Sequence, residues 1–292
     1  MRKLLESRVA VVTGAGNGIG RAEAIGLAKQ GAKVVVNDIG TSAYGQGVSH
    51  EPADAVVKEI KSAGNIAVAC YDSVTTEKGA ENIIQTAVDS FGRIDVLINN
   101  AGVVKDPDNI ADISPDDWDI LMKTHLYGTF YCTRRACSFM KKQRYGRIIN
   151  TSSHVGLGFK GFVSYAAAKE GIVGLTRVVA RDMAEFGVTC NAIRPIAAWR
   201  GATDKNPKIE VNRPEDVATL VVYLASEQAD HINGCIFEVW RGHVGIFTEP
   251  PPVQQVLQKE SAWTTEELAE AIPKTLTKGR SRDKFPKILE FF

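Results

Sequence analysis

The sequence lacks any long hydrophobic run and any excess of charge of one sign. No apolar segment approaches the roughly 20 residues that cross a bilayer, so we expect no membrane-spanning helix. The 35 Lys and Arg residues are balanced by 34 Asp and Glu residues, which leaves a formal net charge of +1. So small a charge attracts neither nucleic acid nor an anionic membrane, and we expect neither as a partner.

The sequence is also poor in cysteine and has no leader-like N-terminus. Its 5 cysteines form no CxxC pair and no metal-ligand spacing, which predicts buried reduced thiols and no metal site. The segment MRKLLESRVAVV runs into a Gly-rich turn without a small-residue cleavage site. It is typical of a first β-strand rather than a signal peptide. These absences predict a cytoplasmic location, where thiols stay reduced.

What the sequence does contain is a regular alternation of short apolar runs and helix-like segments. Runs rich in β-branched residues begin at positions 9, 33, 66, 93, 145, 187 and 234, and helical segments separate most of them. Near-continuous apolar strands alternating with helices are typical of a parallel sheet covered on both faces. The pattern predicts an α/β fold, a Rossmann-type doubly wound parallel sheet of about seven strands in a single domain.

Two segments depart from this alternation. Residues 39–52 form a long Gly-rich loop after the second strand run, and residues 248–292 form a tail with a triple proline at 250–252. The tail has few large apolar side chains, so it cannot build its own core. We therefore expect one domain over residues 1–247 and a C-terminal extension over 248–292, packed on that domain or on a neighbouring subunit.

The first strand run ends in a glycine-rich turn, TGAGNGIG at 13–20. Such a string alone is typical of any tight turn, but this one follows a predicted strand and opens a predicted helix, as in dinucleotide-binding sites. Gly14 and Gly18 permit a tight turn and a close approach of the backbone to a pyrophosphate. The helix N-terminus adds free N–H groups and a partial positive charge. We expect Asn17 and Ile19 to contact the same dinucleotide.

An acidic residue, Asp38, ends the second strand run, about 20 residues beyond the glycine turn. An acid at this position accepts hydrogen bonds from the adenosine ribose hydroxyls and repels a 2′-phosphate. Asn17 is neutral, and no Arg or Lys closely follows Asp38. These residues favour NAD over NADP as the cofactor and make residues 1–247 a dinucleotide-binding domain.

A short polar segment, NNAG at 99–102, closes the fourth strand run. Small and polar residues at the carboxyl end of a central strand are typical of a ligand crevice, although the same residues also suit an ordinary turn. Here the segment shares one edge of the predicted sheet with the glycine turn and Asp38. We expect Asn99, Ala101 and Gly102 to border the cofactor.

A tyrosine and a lysine stand four residues apart in VSYAAAKEG, at the start of a predicted helix. Positions i and i+4 lie on one helix face, so Tyr165 and Lys169 can share a site. A nearby ammonium group favours the phenolate and lowers the ordinary phenol pKa of about 10. Such a phenol can exchange the proton that hydride transfer between an alcohol and a nicotinamide requires. A serine hydroxyl aimed at the same oxygen would polarise a carbonyl.

In combination, these motifs resemble those of the short-chain dehydrogenase/reductase family, in the family's order and close to its spacing. The resemblance rests on TGAGNGIG, NNAG, the serines of NTSS at 150–153 and the Tyr165–Lys169 pair, over about residues 7–245. It implies that Tyr165 is the general acid/base and that Lys169 also holds the nicotinamide ribose. It further implies that Asp72, Ser73 and Pro195 contact the cofactor.

The catalytic serine that the resemblance implies has two candidates. Counting from the strand GRIINTSS selects Ser153, whereas counting back from Tyr165 by the family's commonest distance selects Ser152. The loop between these serines and Tyr165 is one residue shorter than the family's usual loop. A strand end fixes side-chain direction while a loop absorbs deletions, so we prefer Ser153 and keep Ser152 as the alternative.

Two further positions depart from the family's pattern. His125 stands where many members have Asn, in a helix that supports a proton relay; a buried histidine satisfied by hydrogen bonds fits equally well. After the sixth strand run the family often has Pro-Gly, and this chain has Pro195-Ile196. Pro195 should still border the nicotinamide, with a different turn geometry.

Longer segments narrow the resemblance. FGRIDVLINNAG and MKKQRYGRIINTSS resemble a branch that includes the (3R)-hydroxyacyl-CoA dehydrogenase unit of peroxisomal multifunctional enzymes of type 2 and bacterial relatives. This implies a 3-hydroxyacyl-CoA-like substrate. The chain ends in Phe291-Phe292 rather than a peroxisomal tripeptide, which favours a free-standing bacterial enzyme.

The substrate loop at 196–216 is shorter than in that branch. Trp199 would cover an apolar substrate or pack the loop, and Arg200 would meet a CoA phosphate or face solvent. We expect His154 and Phe159 near the pocket. A shorter loop implies a more open pocket, so a hydroxysteroid or other cyclic secondary alcohol is the alternative substrate.

A different class of function is a non-catalytic NAD-binding sensor or scaffold. A binding protein has no need of the Tyr165–Lys169 pair, so the sequence favours an enzyme. The resemblance also implies a homodimer or homotetramer, built through the predicted helices at about 116–142 and 163–186.

Overall fold

The computed structural model describes residues 3–105, 108–198, 212–248 and 250–282. Trp199 and Arg200 lie outside these ranges. Internal contacts divide the chain into two units, Met1–Phe247 and Thr248–Phe292, and each is described by itself.

The first unit contains one sheet with the strand order β3-β2-β1-β4-β5-β6-β7-β8. The strands are β1 (Val9–Thr13), β2 (Lys33–Asn37), β3 (Ala67–Cys70), β4 (Val96–Asn99), β5 (Gly146–Thr151), β6 (Val188–Pro195), β7 (Ile236–Trp240) and β8 (His243–Ile246). All neighbours from β1 to β7 pair in parallel, and β8 pairs antiparallel with β7. The order changes direction between β1 and β4, the point where doubly wound sheets bind ligands.

Helices cover both faces of the sheet, as the Rossmann-type prediction requires. They are α1 (Gly18–Lys29), α2 (Glu51–Ser62), α3 (Glu77–Phe91), α4 (Pro115–Leu121), α5 (Gly128–Gln143), α6 (Val163–Met183) and α7 (Pro214–Leu224). Ala10 and Val12 pack on one face with residues of α1, α2 and α7, whereas Val9 and Val11 pack on the other with α3, α5 and α6. The two cores follow from the period-2 alternation of side chains along a strand.

The predicted long helix at about 116–142 is interrupted in the structure. A π-helical turn, Met122–Tyr127, lies between α4 and α5. Single π-helical turns occur frequently at functional sites. This turn carries His125 on its inner side, where the residue is 2% exposed.

The second unit contains one described helix, α8 (Thr265–Lys274). A capping box begins it: Glu267 N donates to Thr264 Oγ1 at 3.2 Å, and Thr264 N donates to Glu267 Oε2 at 2.7 Å. None of the α8 residues is buried. Whether the extension packs on the domain or on a neighbouring subunit therefore stays a prediction.

The structure also bears on two expectations drawn from composition. All five cysteines are free thiols, and Cys70, Cys132 and Cys190 are buried. Among the described residues, no helix is both long enough and apolar enough to cross a membrane.

Candidate active site

The glycine turn connects β1 to α1 and packs against the end of β4. Gly14 has φ +64°, and a Cβ there would stand 2.7 Å from the Cα of Ala101, so only glycine permits this approach. The backbone N–H groups of Asn100 and Ala101 donate to Thr13 Oγ1, each at 3.1 Å. Asn100 Nδ2 donates to the Thr13 carbonyl at 3.0 Å. The NNAG segment is thus fixed against the turn.

The first turn of α1 offers its backbone N–H groups to a ligand. The helix begins at Gly18, which has φ +53°, and the side chain of its N-cap, Asn17, makes no hydrogen bond to the first turn. Unpaired N–H groups at a helix N-terminus carry a partial positive charge. Ile19 lies in the same turn and packs partly on the core. This cradle fits the pyrophosphate of a dinucleotide.

Asp38 follows β2 at the same edge of the sheet. Its Oδ2 accepts from Gly16 N at 2.8 Å and its Oδ1 accepts from Gly40 N at 2.7 Å. A carboxylate has about four lone-pair sites, so Asp38 can still accept hydrogen bonds from ribose hydroxyls. The side chain is only partly buried, which leaves it accessible to a cofactor.

Asp72 and Ser73 lie just after β3, beside the strand that leads to Asp38. Asn82 Nδ2 donates to Asp72 Oδ1 at 2.8 Å, and Asn37 Nδ2 donates to the Asp72 carbonyl at 2.9 Å. The Ser73 hydroxyl is 2.9 Å from that of Thr75. The neighbouring strands β2 and β3 therefore bring Asp72 and Ser73 to the edge that carries Asp38.

Asn99 is the predicted site residue whose side chain turns away from this edge. Its Nδ2 donates to Asn150 Oδ1 at 2.8 Å and to Thr133 Oγ1 at 2.9 Å. Asn150 Nδ2 in turn donates to Thr176 Oγ1 at 3.0 Å. These buried amides link β4 and β5 to α5 and α6, so only the backbone of Asn99 remains for a cofactor.

The serine of the predicted catalytic group can be read from the hydrogen bonds. The Ser153 side chain lies close enough to the Tyr165 phenol to lower its pKa. The Ser152 hydroxyl is buried and donates to the Lys169 carbonyl at 2.9 Å. The structure therefore brings Ser153, and not Ser152, to the phenol.

Lys169 lies one turn further along α6, with its ammonium group buried. It is 3% exposed, and its Nζ donates to the Thr151 carbonyl at 2.7 Å. The Nζ is 5.4 Å from the centroid of the Tyr165 ring. Burial lowers the pKa of Lys169 to about 7, because desolvation disfavours the charged form.

The pKa of Tyr165 differs from the sequence expectation that a nearby ammonium would lower it. Burial of the phenol raises its pKa above the ordinary value, and the hydrogen bond from Ser153 lowers it by less. The net direction is upward because the phenolate loses more hydration than that one hydrogen bond restores. Tyr165 is therefore protonated at neutral pH.

His125 lies beside this group, on the π-helical turn. Its ring meets the Tyr165 ring edge-on at a centroid distance of 5.0 Å, and its Nε2 is 2.8 Å from the Val103 carbonyl oxygen. A Cβ at Gly102 would stand 2.5 Å from His125 Cε1, so Gly102 makes room for the ring. Burial, followed by the charge of Lys169, lowers the pKa of His125 well below its usual range. The ring is thus neutral at neutral pH.

The sequence placed His154 near the substrate pocket, but in the structure its side chain is not available to a substrate. It is 2% exposed, and its Nε2 is 3.0 Å from Glu238 Oε2. Its ring also packs against those of Trp240 and Phe247. Phe159, which follows the 3₁₀ turn His154–Leu157, is only partly buried. Pro195 ends β6, beside Val239 of β7.

Two residues with polar roles in this region escaped prediction from the sequence. Thr13 holds the NNAG backbone. The sequence feature that could have revealed this role is a hydroxyl at the last position of a buried strand. Arg194 donates to the Ser153 carbonyl at 2.6 Å. The sequence feature that could have revealed Arg194 is a charged residue within the apolar run GVTCNAIRP.

Comparisons with known proteins identify the family. The sequence model of the short chain dehydrogenase family matches residues 8–206. The chain is 41% identical over 289 residues to peroxisomal multifunctional enzyme type 2 of Mus musculus. This match covers 98% of this chain and 37% of that protein. The chain is also 35% identical over 281 residues to hydroxyacyl-CoA dehydrogenase ChsB1 of Mycobacterium tuberculosis. This match covers 90% of this chain and 87% of that protein.

A solved structure agrees with the sequence matches. The crystal structure of a short chain dehydrogenase from Mycobacterium avium is similar with a TM-score of 0.84 and 41% identity, over 95% of this chain and 97% of that chain. The relatives are named as dehydrogenases or as multifunctional enzymes, which favours catalysis over a sensor or scaffold. The chain belongs to the short chain dehydrogenase family, in the branch of peroxisomal multifunctional enzyme type 2, and is an oxidoreductase.

Proposed function

We propose that the chain is an NAD-dependent dehydrogenase of secondary alcohols, with Tyr165 as the general acid/base. The observation that carries this proposal is the convergence of Ser153, Tyr165 and Lys169 next to a cradle for a dinucleotide. Ser153 lies close enough to Tyr165 to lower the pKa of its phenol, and Lys169 lies one helical turn from that phenol. Ser153 would orient the substrate oxygen, and Lys169 would hold the nicotinamide ribose.

The remaining predicted contacts surround the cofactor. The residues that would hold it are Gly14, Asn17, Gly18 and Ile19 at the phosphates, Asp38, Asp72 and Ser73 at the adenosine, and Asn99, Ala101, Gly102 and Pro195 toward the nicotinamide. A bound nicotinamide supplies the hydride acceptor or donor. The carboxylate of Asp38 supports NAD rather than NADP, because it would repel a 2′-phosphate at the edge of β2.

The proton is moved by the chain's own groups. Because burial raises the pKa of Tyr165, the phenol carries its proton at neutral pH and can give it to a carbonyl oxygen. In the oxidative direction the phenolate takes the proton from the alcohol. The Ser153 hydroxyl would donate a hydrogen bond to the same substrate oxygen, which stabilises the charge that develops there.

We propose a 3-hydroxyacyl-CoA-like compound as the substrate. The support is the similarity to the mouse multifunctional enzyme and, over most of both chains, to a protein named hydroxyacyl-CoA dehydrogenase. This chain spans only 37% of the mouse enzyme, so the support extends to its dehydrogenase unit alone. A hydroxysteroid or another cyclic secondary alcohol remains the competing substrate class.

A screen of alcohol classes tests the proposal. The purified full chain would be assayed for NAD reduction with a 3-hydroxyacyl-CoA, a hydroxysteroid and a simple cyclic alcohol, and each assay repeated with NADP. We expect the highest kcat/KM with the hydroxyacyl-CoA and NAD. A higher value with a ring alcohol would select the competing substrate class. Absence of turnover with every alcohol would refute the proposed function.

A further inference from the structure

Arg194 is a buried cation that the proposed chemistry does not use directly. It is the next-to-last residue of β6 and is 3% exposed. Its Nη1 donates to the Ser153 carbonyl at 2.6 Å, and its Nη2 is 2.7 Å from Glu170 Oε1. The guanidinium carbon is 5.1 Å from the centroid of the Phe247 ring. Burial of a charge is unfavourable unless it is paired and hydrogen-bonded. Nη1 and Nη2 meet these conditions here, whereas Nε has no hydrogen-bond partner among the described residues.

The surrounding chain is shaped to admit this guanidinium. A Cβ at Gly156 would stand 2.5 Å from Glu170 Oε1 and 3.2 Å from Arg194 Nη1. Any larger residue at 156 would therefore displace the ion pair. The planar fork of an arginine can serve two acceptors at once, which a lysine ammonium cannot do with the same geometry.

The two acceptors of Arg194 belong to the two elements that carry the proposed catalytic group. Ser153 follows β5 and caps the 3₁₀ turn His154–Leu157, accepting from Val155 N at 3.2 Å. Glu170 lies on α6 directly after Lys169 and in the helix that carries Tyr165. Arg194 thus connects the backbone of Ser153 to α6, the helix that carries Tyr165, which the Ser153 hydroxyl must contact.

We propose that Arg194 is a positioning residue for the dehydrogenase reaction, and this rests on the function proposed above. Its guanidinium holds the Ser153 carbonyl against Glu170 of α6, and so fixes the Ser153 hydroxyl at the Tyr165 phenol. Misplacement of a catalytic group by about 1 Å can lower a rate by about 100-fold. Loss of this contact should therefore act on the proton-transfer geometry more than on cofactor binding.

The test compares Arg194→Lys and Arg194→Met with wild type in NAD reduction by the best alcohol of the screen. We expect kcat to fall by about 10- to 100-fold, with the Kd for NAD changed by less than about threefold. The pKa in the pH–rate profile of alcohol oxidation should also move upward. The Ser153 hydrogen bond lowers the pKa of Tyr165, and the variants weaken it. Lys169 and His125 are the other titratable groups beside Tyr165, and both are unchanged in the two variants.

Two matched variants separate positioning from general loss of structure. Glu170→Gln keeps a neutral acceptor for Arg194 and leaves the Ser153 contact, so its loss of kcat should be smaller. Arg181→Met removes an exposed arginine from the same helix and should retain wild-type kcat. All rates are expressed per NAD-binding site, so that unfolded protein does not count.

The proposal is overturned if Arg194→Lys or Arg194→Met keeps the wild-type kcat and pH–rate profile. It is also overturned if the rate falls only in proportion to the loss of NAD-binding sites. An inactive wild-type chain would instead refute the dehydrogenase function itself, which distinguishes the two failures.

Discussion

Replacing Glu23 by glutamine should remove a strong pH dependence from the stability of the fold. Glu23 lies in α1 and is 0% exposed, and neither of its carboxyl oxygens has a hydrogen-bond partner among the described residues. The helix packs closely on α7, where a Cβ at Gly26 would stand 3.1 Å from Val222 Cγ2. Burial raises the pKa of Glu23 from 4.5 to about 8, because a desolvated carboxylate is unfavourable.

The magnitude follows from the difference between the two pKa values. The folded chain keeps the Glu23 proton up to about pH 8, whereas the unfolded chain releases it near pH 4.5. Between these values the folded state binds more protons, so its stability falls as the pH rises. At about 1.4 kcal/mol per pH unit the loss approaches about 5 kcal/mol above pH 8. Below pH 4.5 the loss is absent, because both states are protonated.

Urea unfolding of wild type and Glu23→Gln at a fixed protein concentration measures this effect. The glutamine keeps the shape and is neutral at every pH, so the advantage of the variant should grow steadily from about pH 5 to about pH 8 and then level off. Glu185→Gln, which changes an exposed glutamate, should give a difference that stays small throughout. A Glu23→Gln difference that does not change with pH would refute the reasoning.

Changes at Asp38, in solvent pH and in the extension test other parts of the proposed function. Asp38→Asn removes the charge and keeps one of the two acceptor oxygens that Gly16 N and Gly40 N use, so the ratio of kcat/KM with NAD to that with NADP should fall by about tenfold or more; an unchanged ratio would contradict the role of Asp38. For alcohol oxidation, kcat/KM should rise between about pH 7 and about pH 9, because the raised pKa of Tyr165 makes the phenolate the minor form; a flat profile would contradict it. Deleting residues 248–292 should lower either the Tm or the number of protomers per particle measured by light scattering, and a chain unaffected in both would show that the extension packs on nothing.

The central strands could be predicted because buried parallel strands require continuous apolar, β-branched residues. β1 and β2 lie inside the runs VAVVTG and KVVVND for this reason. β8 was missed because its four residues, HVGI, alternate between partly buried and exposed and form no apolar run. The π-helical turn Met122–Tyr127 was also missed, since its helix-forming residues carry no signal for an extra residue per turn.

The order and type of the site residues could be read from motifs, but their directions could not. Ser152 and Ser153 are adjacent, so they face opposite sides at a strand end, and a loop one residue short left both open. The two serines are distinguished because Ser153 lowers the pKa of Tyr165, whereas the Ser152 hydroxyl donates to the Lys169 carbonyl. The NNAG motif likewise did not reveal that the Asn99 amide turns inward to Asn150.

Burial by distant segments was the least predictable property of the site. The sequence suggested that Lys169 would be an ammonium that lowers the pKa of Tyr165. In the structure both groups are desolvated, which lowers the pKa of Lys169 to about 7 and raises that of Tyr165. Arg194 and Glu23 are buried for the same tertiary reason, and neither belongs to a local motif.

The central claim is that the Tyr165 phenol moves the proton in an NAD-dependent reaction. Its most direct test is the turnover of Tyr165→Phe with the best alcohol of the screen, together with the Kd for NAD measured by calorimetry. The substitution removes only the hydroxyl, so kcat should fall by about 100- to 10,000-fold while the affinity for NAD stays near that of wild type. Retention of wild-type turnover in the phenylalanine variant would contradict the claim.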